Sequence, residues 1–402
     1  MSKEAKVLFY RPNKLFVGFY IFVILCLFLY SFTQIDLGLT VTRFAGVAQI
    51  QRAFQWVGFF NRPLSTWLDV LITLALFKFY IFFILFARKK ILTSRTFWII
   101  VFILTGILAL SYTAYSYDIF NYIFDAKIFT HYGANPYLHK ALDYPGDPML
   151  SFMHWTHRTY PYGPIWLGLT IPLSYLGLNF FVPTYFLFKV LAAASYIGCI
   201  WLIGKIMRQV EPSKELLAQV IFAFNPLVII EVLISGHNDI TMMFFALASL
   251  LYLIRKQYAL ALILLILSIG IKFATGFLLP MYLMIYFFER KKVMVPWMTV
   301  FMTIVVAMLL AVVAATLRTN LQPWYILYAL PFAALLGDTL FILVPTVLIS
   351  AVLLANYLPF FYTGNWNPPI PGELLILNLC GVAISLIVAI ILATKKKKFI
   401  AS

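Results

Sequence analysis

Thr96-Phe97-Trp98-Ile99-Ile100-Val101-Phe102-Ile103-Leu104-Thr105-Gly106-Ile107-Leu108-Ala109-Leu110-Ser111-Tyr112-Thr113-Ala114-Tyr115 carries no charge and closes on Ser116-Tyr117-Asp118-Ile119-Phe120-Asn121-Tyr122-Ile123-Phe124-Asp125. About 20 uncharged, mostly apolar residues suffice for an α-helix to cross a bilayer. A carboxylate placed where that run ends needs a reason. In a helix Asp118, Asn121, Tyr122 and Asp125 share one face, a polar stripe at the membrane boundary.

The rest of the chain agrees with this class. Of its 402 residues 63% are apolar and only 11% charged, with 14 acids in all, a composition no soluble surface accommodates. The fold class expected is all-α: a polytopic membrane bundle of about 12 to 13 transmembrane helices with interfacial helices in an outer loop. The net charge of +16 falls in short clusters between apolar runs, which sets membrane orientation and argues against a nucleic-acid partner. Cys26, Cys199 and Cys380 lie in apolar runs without CxxC spacing and read as small buried hydrophobes.

Lys3, Lys6, Arg11 and Lys14 precede the first apolar run, which lacks a clear cleavage site and reads as an uncleaved signal anchor. The other basic clusters are Arg88-Lys89-Lys90 with Arg95, Lys205 with Arg208 and Lys214, Arg255-Lys256, Arg290-Lys291-Lys292, and Lys395 to Lys398. With all of them cytoplasmic, spans are expected near 15–35, 66–87, 96–115, 183–204, 216–234, 239–254, 257–271, 275–288, 293–316, 324–337, 339–358 and 373–394. Both termini then face the cytoplasm, 395–402 forming a basic tail of a single transmembrane domain, 1–402. Residues 163–178 read as a re-entrant or partial span.

This topology puts most unusual polar residues outside. The longest outer segment, 116–162, holds Asp118, Asp125, Asp143, Asp147, Arg158 and four histidines, His131, His139, His154 and His157. Between Asp118 and Asp125 it can form an interfacial helix with Ile119, Phe120, Ile123 and Phe124 toward lipid or protein. A smaller loop, Arg43 to Arg62, reads as an aromatic belt with phosphate-facing cations. Three more features share the outer side: Glu231 through Asp239 with His237 and Asn238, Lys272 after Gly270, and Arg318 followed by Gln322-Pro323-Trp324-Tyr325.

Tyr117-Asp118-Ile119-Phe120-Asn121-Tyr122, then Tyr132-Gly133-Ala134-Asn135-Pro136-Tyr137, then Tyr160-Pro161-Tyr162-Gly163-Pro164 resembles the first outer-loop pattern of glycosyltransferase-C enzymes. The closest likeness is to polyprenyl-phosphate-mannose-dependent mannosyltransferases, the bacterial alpha-1,6 type and the first GPI mannosyltransferase. Phe224-Asn225-Pro226-Leu227, Gly236-His237-Asn238-Asp239 and Gln322-Pro323-Trp324-Tyr325 extend it over roughly 115–330. The resemblance implies a cavity that admits a lipid-linked sugar from the membrane and an acceptor from outside. It also implies a catalytic aspartate at Asp118.

The chemistry fits the residue types. An acceptor hydroxyl attacking an anomeric carbon needs a carboxylate within hydrogen-bond reach, and Asp118 is the candidate base; the alternative is a helix cap. A leaving polyprenyl phosphate needs cations, for which Arg158, Lys272 and Arg318 are candidates, each also readable as a headgroup anchor. Asp125 either orients the sugar or helps hold a metal, or pairs with Lys127, His131 or another loop cation. Asn121, Tyr122, His157, His237, Asn238, Asp239, Gln322 and Trp324 complete the candidate substrate-binding set, with a helix cap the plainer reading of 237–239. His154 and His157, three apart, raise zinc without an HExxH. No cofactor is firmly implied, and a divalent cation at Asp118 and Asp125 is left open.

The expected function is a membrane hexosyltransferase moving a sugar, most simply mannose, from polyprenyl phosphate to an outward-facing lipid or glycan acceptor with inversion. The short loops fit a prokaryotic plasma membrane. A flippase or a polymerase or ligase of lipid-linked glycans is the competing class. The polar groups concentrate in one outer loop, and matched broken helices in two halves are not found, which favours the enzyme.

Overall fold

The computed structural model describes residues 14–40, 42, 44–337 and 339–401, with side chains of the last helix described to Lys395. Lys3, Lys6, Arg11 and Arg43 of the charge pattern lie outside these residues, as do the side chains of Lys396, Lys397 and Lys398. Among the described residues helices are the only extended regular elements. Lys140 and Thr159 form an isolated bridge, and no longer strand pairing occurs.

In chain order the helices are α1 Lys14–Ser31, α2 Ala45–Gln55, α3 Arg62–Arg88, α4 Ser94–Leu108, α5 Asp118–Thr130, α6 Pro164–Leu176, α7 Phe181–Val210 and α8 Glu215–Ala223. After the break at Asn225 come α9 Pro226–Val228, unwinding into the π turn Ile229–Ile234, α10 Asp239–Ile254, α11 Tyr258–Ile269, α12 Leu279–Arg290 and α13 Trp297–Thr316. The last are α14 Leu330–Ala334, α15 Leu340–Ala355, α16 Leu358–Thr363 and α17 Ile370–Ala401. Side-chain oxygens start two of the long helices: Asn61 accepts from the Leu64 amide at 3.4 Å, and Thr93 from the Thr96 amide at 3.2 Å.

Six described segments are long and apolar enough to cross a membrane, and a seventh if 212–223 and 226–234, bent by 54°, count as one span. The remaining expected crossings fall on shorter or broken elements. Residues 324–337 form a buried 3-10 turn, Pro323–Tyr328, and the short α14; Pro323 and Pro331 break the pattern that hydropathy alone read as continuous. Residues 275–288 divide into a 3-10 turn, Phe273–Leu278, and α12. The 13 residues of α6 cover about 20 Å along their axis, less than a hydrocarbon core.

Large apolar side chains stand uncovered along α1, α3 and α17, for example Phe22, Trp67, Ile376 and Ile390. In water each would forgo about 1.5–3 kcal/mol, so this surface belongs in lipid and the chain is an integral membrane protein. By contrast α10 is buried on nearly every side, packed against α7 and α11, and forms the centre of the bundle. In the 43–62 segment, Phe44, Trp56 and Phe60 are exposed while Gln55 turns inward to the Ile35 and Asp36 carbonyls at 3.2 and 3.1 Å.

One backbone lock governs the site. The Gly163 amide donates to the Ile271 carbonyl at 3.0 Å, and the Ile165 amide to the Gly270 carbonyl at 2.9 Å. A side chain at Gly163 would run into the Gly270 carbonyl oxygen, so glycine alone permits the approach. The turn carrying Tyr162 is thereby fixed against the turn carrying Lys272.

Candidate active site

Asp118 opens α5 as its first helical residue. Tyr117 occupies the cap position and makes no side-chain cap bond, while the Asp118 amide donates to the Ser116 hydroxyl oxygen at 3.2 Å. The Asp118 carboxylate is therefore not the cap. It is 8% exposed, in the positive field of the first turn. Of the two surroundings open to Ile119, Phe120, Ile123 and Phe124, the structure shows protein: all four are buried, with α5 packed on α6 and α7.

The second element is the broken helix. Asn225 accepts from the Leu227 amide at 2.9 Å and donates to Ser350 at 3.1 Å, starting a segment that unwinds into the π turn. Buried Lys189 of α7 ties off that turn, donating to Ser111 Oγ at 3.0 Å, the Ile234 carbonyl at 2.8 Å and the Leu233 carbonyl. Gly236, at φ +73°, then swings the chain so that His237 enters the interior. Its ring lies flat on Trp324, centroids 4.2 Å apart. Its Nδ1 is 3.8 Å from Asp118 Oδ2 and its Nε2 3.1 Å from Glu231 Oε2. Neither nitrogen is aligned for a hydrogen bond. Tyr357 donates to the other Glu231 oxygen at 2.8 Å.

Asn238 holds the cap position of α10, yet its side chain makes no cap bond and both of its buried polar atoms have no partner. Buried polar atoms left unpaired cost about 1–3 kcal/mol each and are few in folded proteins. Asn121 Oδ1, the Tyr122 hydroxyl and Arg158 Nε are also without an aligned hydrogen bond. Of these, Tyr122 and Arg158 face Asp118, where a polar ligand would satisfy them.

Charge completes the arrangement. Lys272 Nζ donates to both oxygens of fully buried Asp239 at 2.8 and 2.9 Å and stands 5.3 Å from the centre of the Tyr162 ring. Arg158 lies over the same ring at 5.7 Å. Burial raises the Asp118 carboxyl above its ordinary range, against the pull of Arg158 and Lys272. Burial lifts Asp125 to about 7, again opposed by Arg158. Although burial disfavours the Arg158 cation, Tyr162 and Asp118 hold its pKa above the usual value. Burial and then Lys272 push His237 far down, leaving a neutral imidazole.

The structure thus brings Asp118, Arg158, His237, Asp239 and Lys272 together, with Tyr122 against Tyr162 and Trp166 at 5.3 and 5.4 Å and Trp324 beneath His237. Asn121 reaches only the Trp155 carbonyl, at 3.5 Å. Gln322 is half-buried before the Pro323 turn. Arg318 is exposed past the end of α13, and His157 is exposed against Trp155, so neither belongs to the buried cluster. His154 packs against Tyr117 with the rings tilted by 44°, and shares no helical face with His157. Lys127 is not Asp125's partner: it binds Asp147 at 2.5 Å, because the 147–149 turn brings that carboxylate back onto α5. Among the described residues no group of three or more His, Cys, Asp or Glu is placed to hold a metal ion.

Lys189 and Tyr357 were not singled out in the sequence, and Tyr162 stood there only as part of the 160–164 motif; buried Asp69 of α3, which accepts from Tyr115 at 2.5 Å, was not singled out either. Lys189 and Asp69 carried a usable signal: each is a lone ionisable residue inside an otherwise apolar run, which marks a buried partner. A cleft of about 490 Å³ is lined by Ile123, Lys127, Asp147, Phe152, Phe181 and Pro183, and Asp118 is not part of its lining. Its one cation is already spent on Asp147.

No curated protein and no solved structure matches the chain. Residues 31–288 match a family described as Alpha-(1->6)-mannopyranosyltransferase, N-terminal domain. That span covers well over half the chain and includes Asp118, Arg158, Glu231, His237, Asp239 and Lys272. An all-helical membrane bundle with this match belongs to the alpha-(1->6)-mannopyranosyltransferase N-terminal domain family, and is a membrane mannosyltransferase.

Proposed function

We propose that the chain moves mannose from a polyprenyl phosphate to a hydroxyl of a lipid or glycan acceptor, with Asp118 as general base. The observation that carries this is a buried carboxylate that caps nothing and stands between two cations and an imidazole. The acceptor O–H proton passes to Asp118 as the oxygen attacks the anomeric carbon. The bond to the carrier phosphate breaks on the opposite face, giving inversion by a single displacement. Charge growing on the phosphate needs preorganised donors. Arg158 suits this better than Lys272, since Lys272 is already engaged by both oxygens of Asp239 and Arg158 keeps an unpaired Nε. In this reading Asp125, buried near Arg158, and Asn238, whose polar atoms have no partner, orient sugar hydroxyls.

The test compares labelled mannose presented on a short-chain polyprenyl phosphate with labelled nucleoside-diphosphate mannose, given to purified protein with an acceptor-lipid extract. Product from the lipid-linked donor alone is expected; product from the nucleotide donor alone would overturn the donor assignment.

The same reading places 116–162 on the outer face of a prokaryotic plasma membrane with cytoplasmic termini, supported by the exposed basic residues at the ends of α3 and α12. In a variant with Cys26, Cys199 and Cys380 replaced by serine, Asp143→Cys should be labelled by an impermeant thiol reagent in intact cells and Lys291→Cys should not. The reverse pattern would overturn the orientation and leave the chemistry untouched.

A further inference from the structure

Arg158 faces two buried carboxylates, Asp118 and Asp125, and pairs with neither. Among the described residues its guanidinium makes no ion pair. Opposite charges attract strongly away from water, so some contact must hold the cation short of the acids. The backbone on either side is fixed: the Arg158 amide donates to the Trp155 carbonyl at 3.4 Å, Thr159 bridges to Lys140, and the Tyr160 amide donates to the Pro136 carbonyl at 3.0 Å. The side chain lies over the Tyr162 ring, 5.7 Å from its centre. That ring is itself braced. Tyr122 and Tyr160 meet it edge to face at 5.3 and 5.7 Å, the Tyr137 hydroxyl donates to the Tyr162 carbonyl at 3.2 Å, and the Tyr160 hydroxyl to the Gly163 carbonyl at 2.9 Å. The other cation over the ring, Lys272, is held by both oxygens of Asp239, so Arg158 is the one that no carboxylate holds.

We propose that Tyr162 is a positioning residue that holds the Arg158 guanidinium off Asp118, leaving the carboxylate unpaired to act as base and the cation free to meet the carrier phosphate. This rests on the roles proposed above for both residues. A cation over an aromatic face is attracted by the ring's electron density, the more so where water is excluded. That attraction neutralises no charge, so the guanidinium keeps its field for an anionic oxygen. An ion pair would do the opposite: it would make Asp118 less basic and cover the N–H groups that a phosphate oxygen needs. The acceptor proton goes to Asp118, Arg158 meets the charge that builds on the departing phosphate oxygen, and Tyr162 exchanges a proton with neither. The other groups that face Asp118 are Lys272, Asp239, Tyr122 and His237, all retained in the variants below.

The experiment measures kcat, donor KM and the pH profile of mannose transfer from a short-chain polyprenyl phosphate for wild type, Tyr162→Leu, Arg158→Met and the double variant, each checked for its thermal midpoint. Tyr162→Leu should raise donor KM about 10-fold or more and move the acid limb to lower pH, because the freed guanidinium pairs with Asp118 and favours its ionised form. Arg158→Met should raise donor KM at least as much and move the acid limb to higher pH, since a cation near Asp118 is gone. In the double variant the loss of Tyr162 should add nothing, because the ring acts through the guanidinium. An effect of Tyr162→Leu that persists in the Arg158→Met background would show water entry or direct substrate contact and overturn the positioning role, as would wild-type kinetics in Tyr162→Leu. Unchanged donor KM in Arg158→Met would remove the phosphate role and the task of Tyr162 with it. Where Tyr162→Leu does not fold, 3,4,5-trifluorophenylalanine in place of Tyr162 decides, since it keeps the shape of the ring and withdraws the charge from its face. Donor KM should then rise about three-fold or more relative to Tyr162→Phe, and equal values would overturn the proposal.

Discussion

Asp118→Asn should cut mannose transfer by about 10³-fold, within the range for loss of a general base, while the folded protein becomes no less stable. The two effects have one source. Asn keeps the shape of the side chain but neither takes a proton nor carries the charge whose burial lifts the Asp118 pKa. An uncapped, nearly buried carboxylate serves stability poorly, so its replacement is tolerated by the fold and not by the chemistry. The wild-type pH profile carries the same signature. The base must be ionised, so activity is lost as pH falls through the Asp118 pKa, and the acid limb lies above the ordinary aspartate value of about 3.9. Transfer assays beside thermal unfolding in detergent check both halves. Wild-type transfer by Asp118→Asn would remove it as base, and a large stability loss would make it a structural residue.

The second large effect concerns stability. Lys272→Met leaves Asp239, which is 0% exposed, without its cation, and should cost about 3 kcal/mol, the scale for breaking a buried pair from one side. Adding Asp239→Asn should recover most of that loss, because the penalty lies in the stranded charge. The double-mutant cycle in denaturant reads the coupling directly. A single-variant cost below about 0.5 kcal/mol would mean that Lys272 is free to meet phosphate, and Arg158 would lose its preference as the phosphate ligand. The sequence offered Asp239 and Lys272 as separate substrate contacts; the fold makes them one unit.

The long spans were legible because apolar length is a strong signal. The expected 15–35, 66–87 and 183–204 correspond to Lys14–Gln34, Arg62–Arg88 and Phe181–Val210, whereas the expected 239–254 is a helix of only 16 residues. Hydropathy could not show where a span breaks. Asn225-Pro226 divides 216–234, and Pro323 and Pro331 divide 324–337, although both stretches read as continuous apolar runs. In the site, a polar residue conspicuous against an apolar background could be named from sequence, as with Asp118, Asp239 and Lys272. Pairings could not, since they depend on segments far apart in the chain: Glu231 meets Tyr357, and the 163 turn meets the 270 turn. Tyr357, and the place of Tyr162 under Arg158 and Lys272, were hidden because aromatic residues are everywhere in this chain, 18% of it.

Lys189 bears on how the protein is made. An isolated helix with a lysine well inside its apolar length is disfavoured in a bilayer by about 2.5–3.5 kcal/mol. In the finished protein the ammonium is satisfied by Ser111 on one side and by the Leu233 and Ile234 carbonyls on the other. Those carbonyls are synthesised only after α7 and α8 are complete. Release of α7 into lipid is therefore coupled to arrival of the π turn, so biogenesis of the bundle and formation of the bend that delivers His237 are one event.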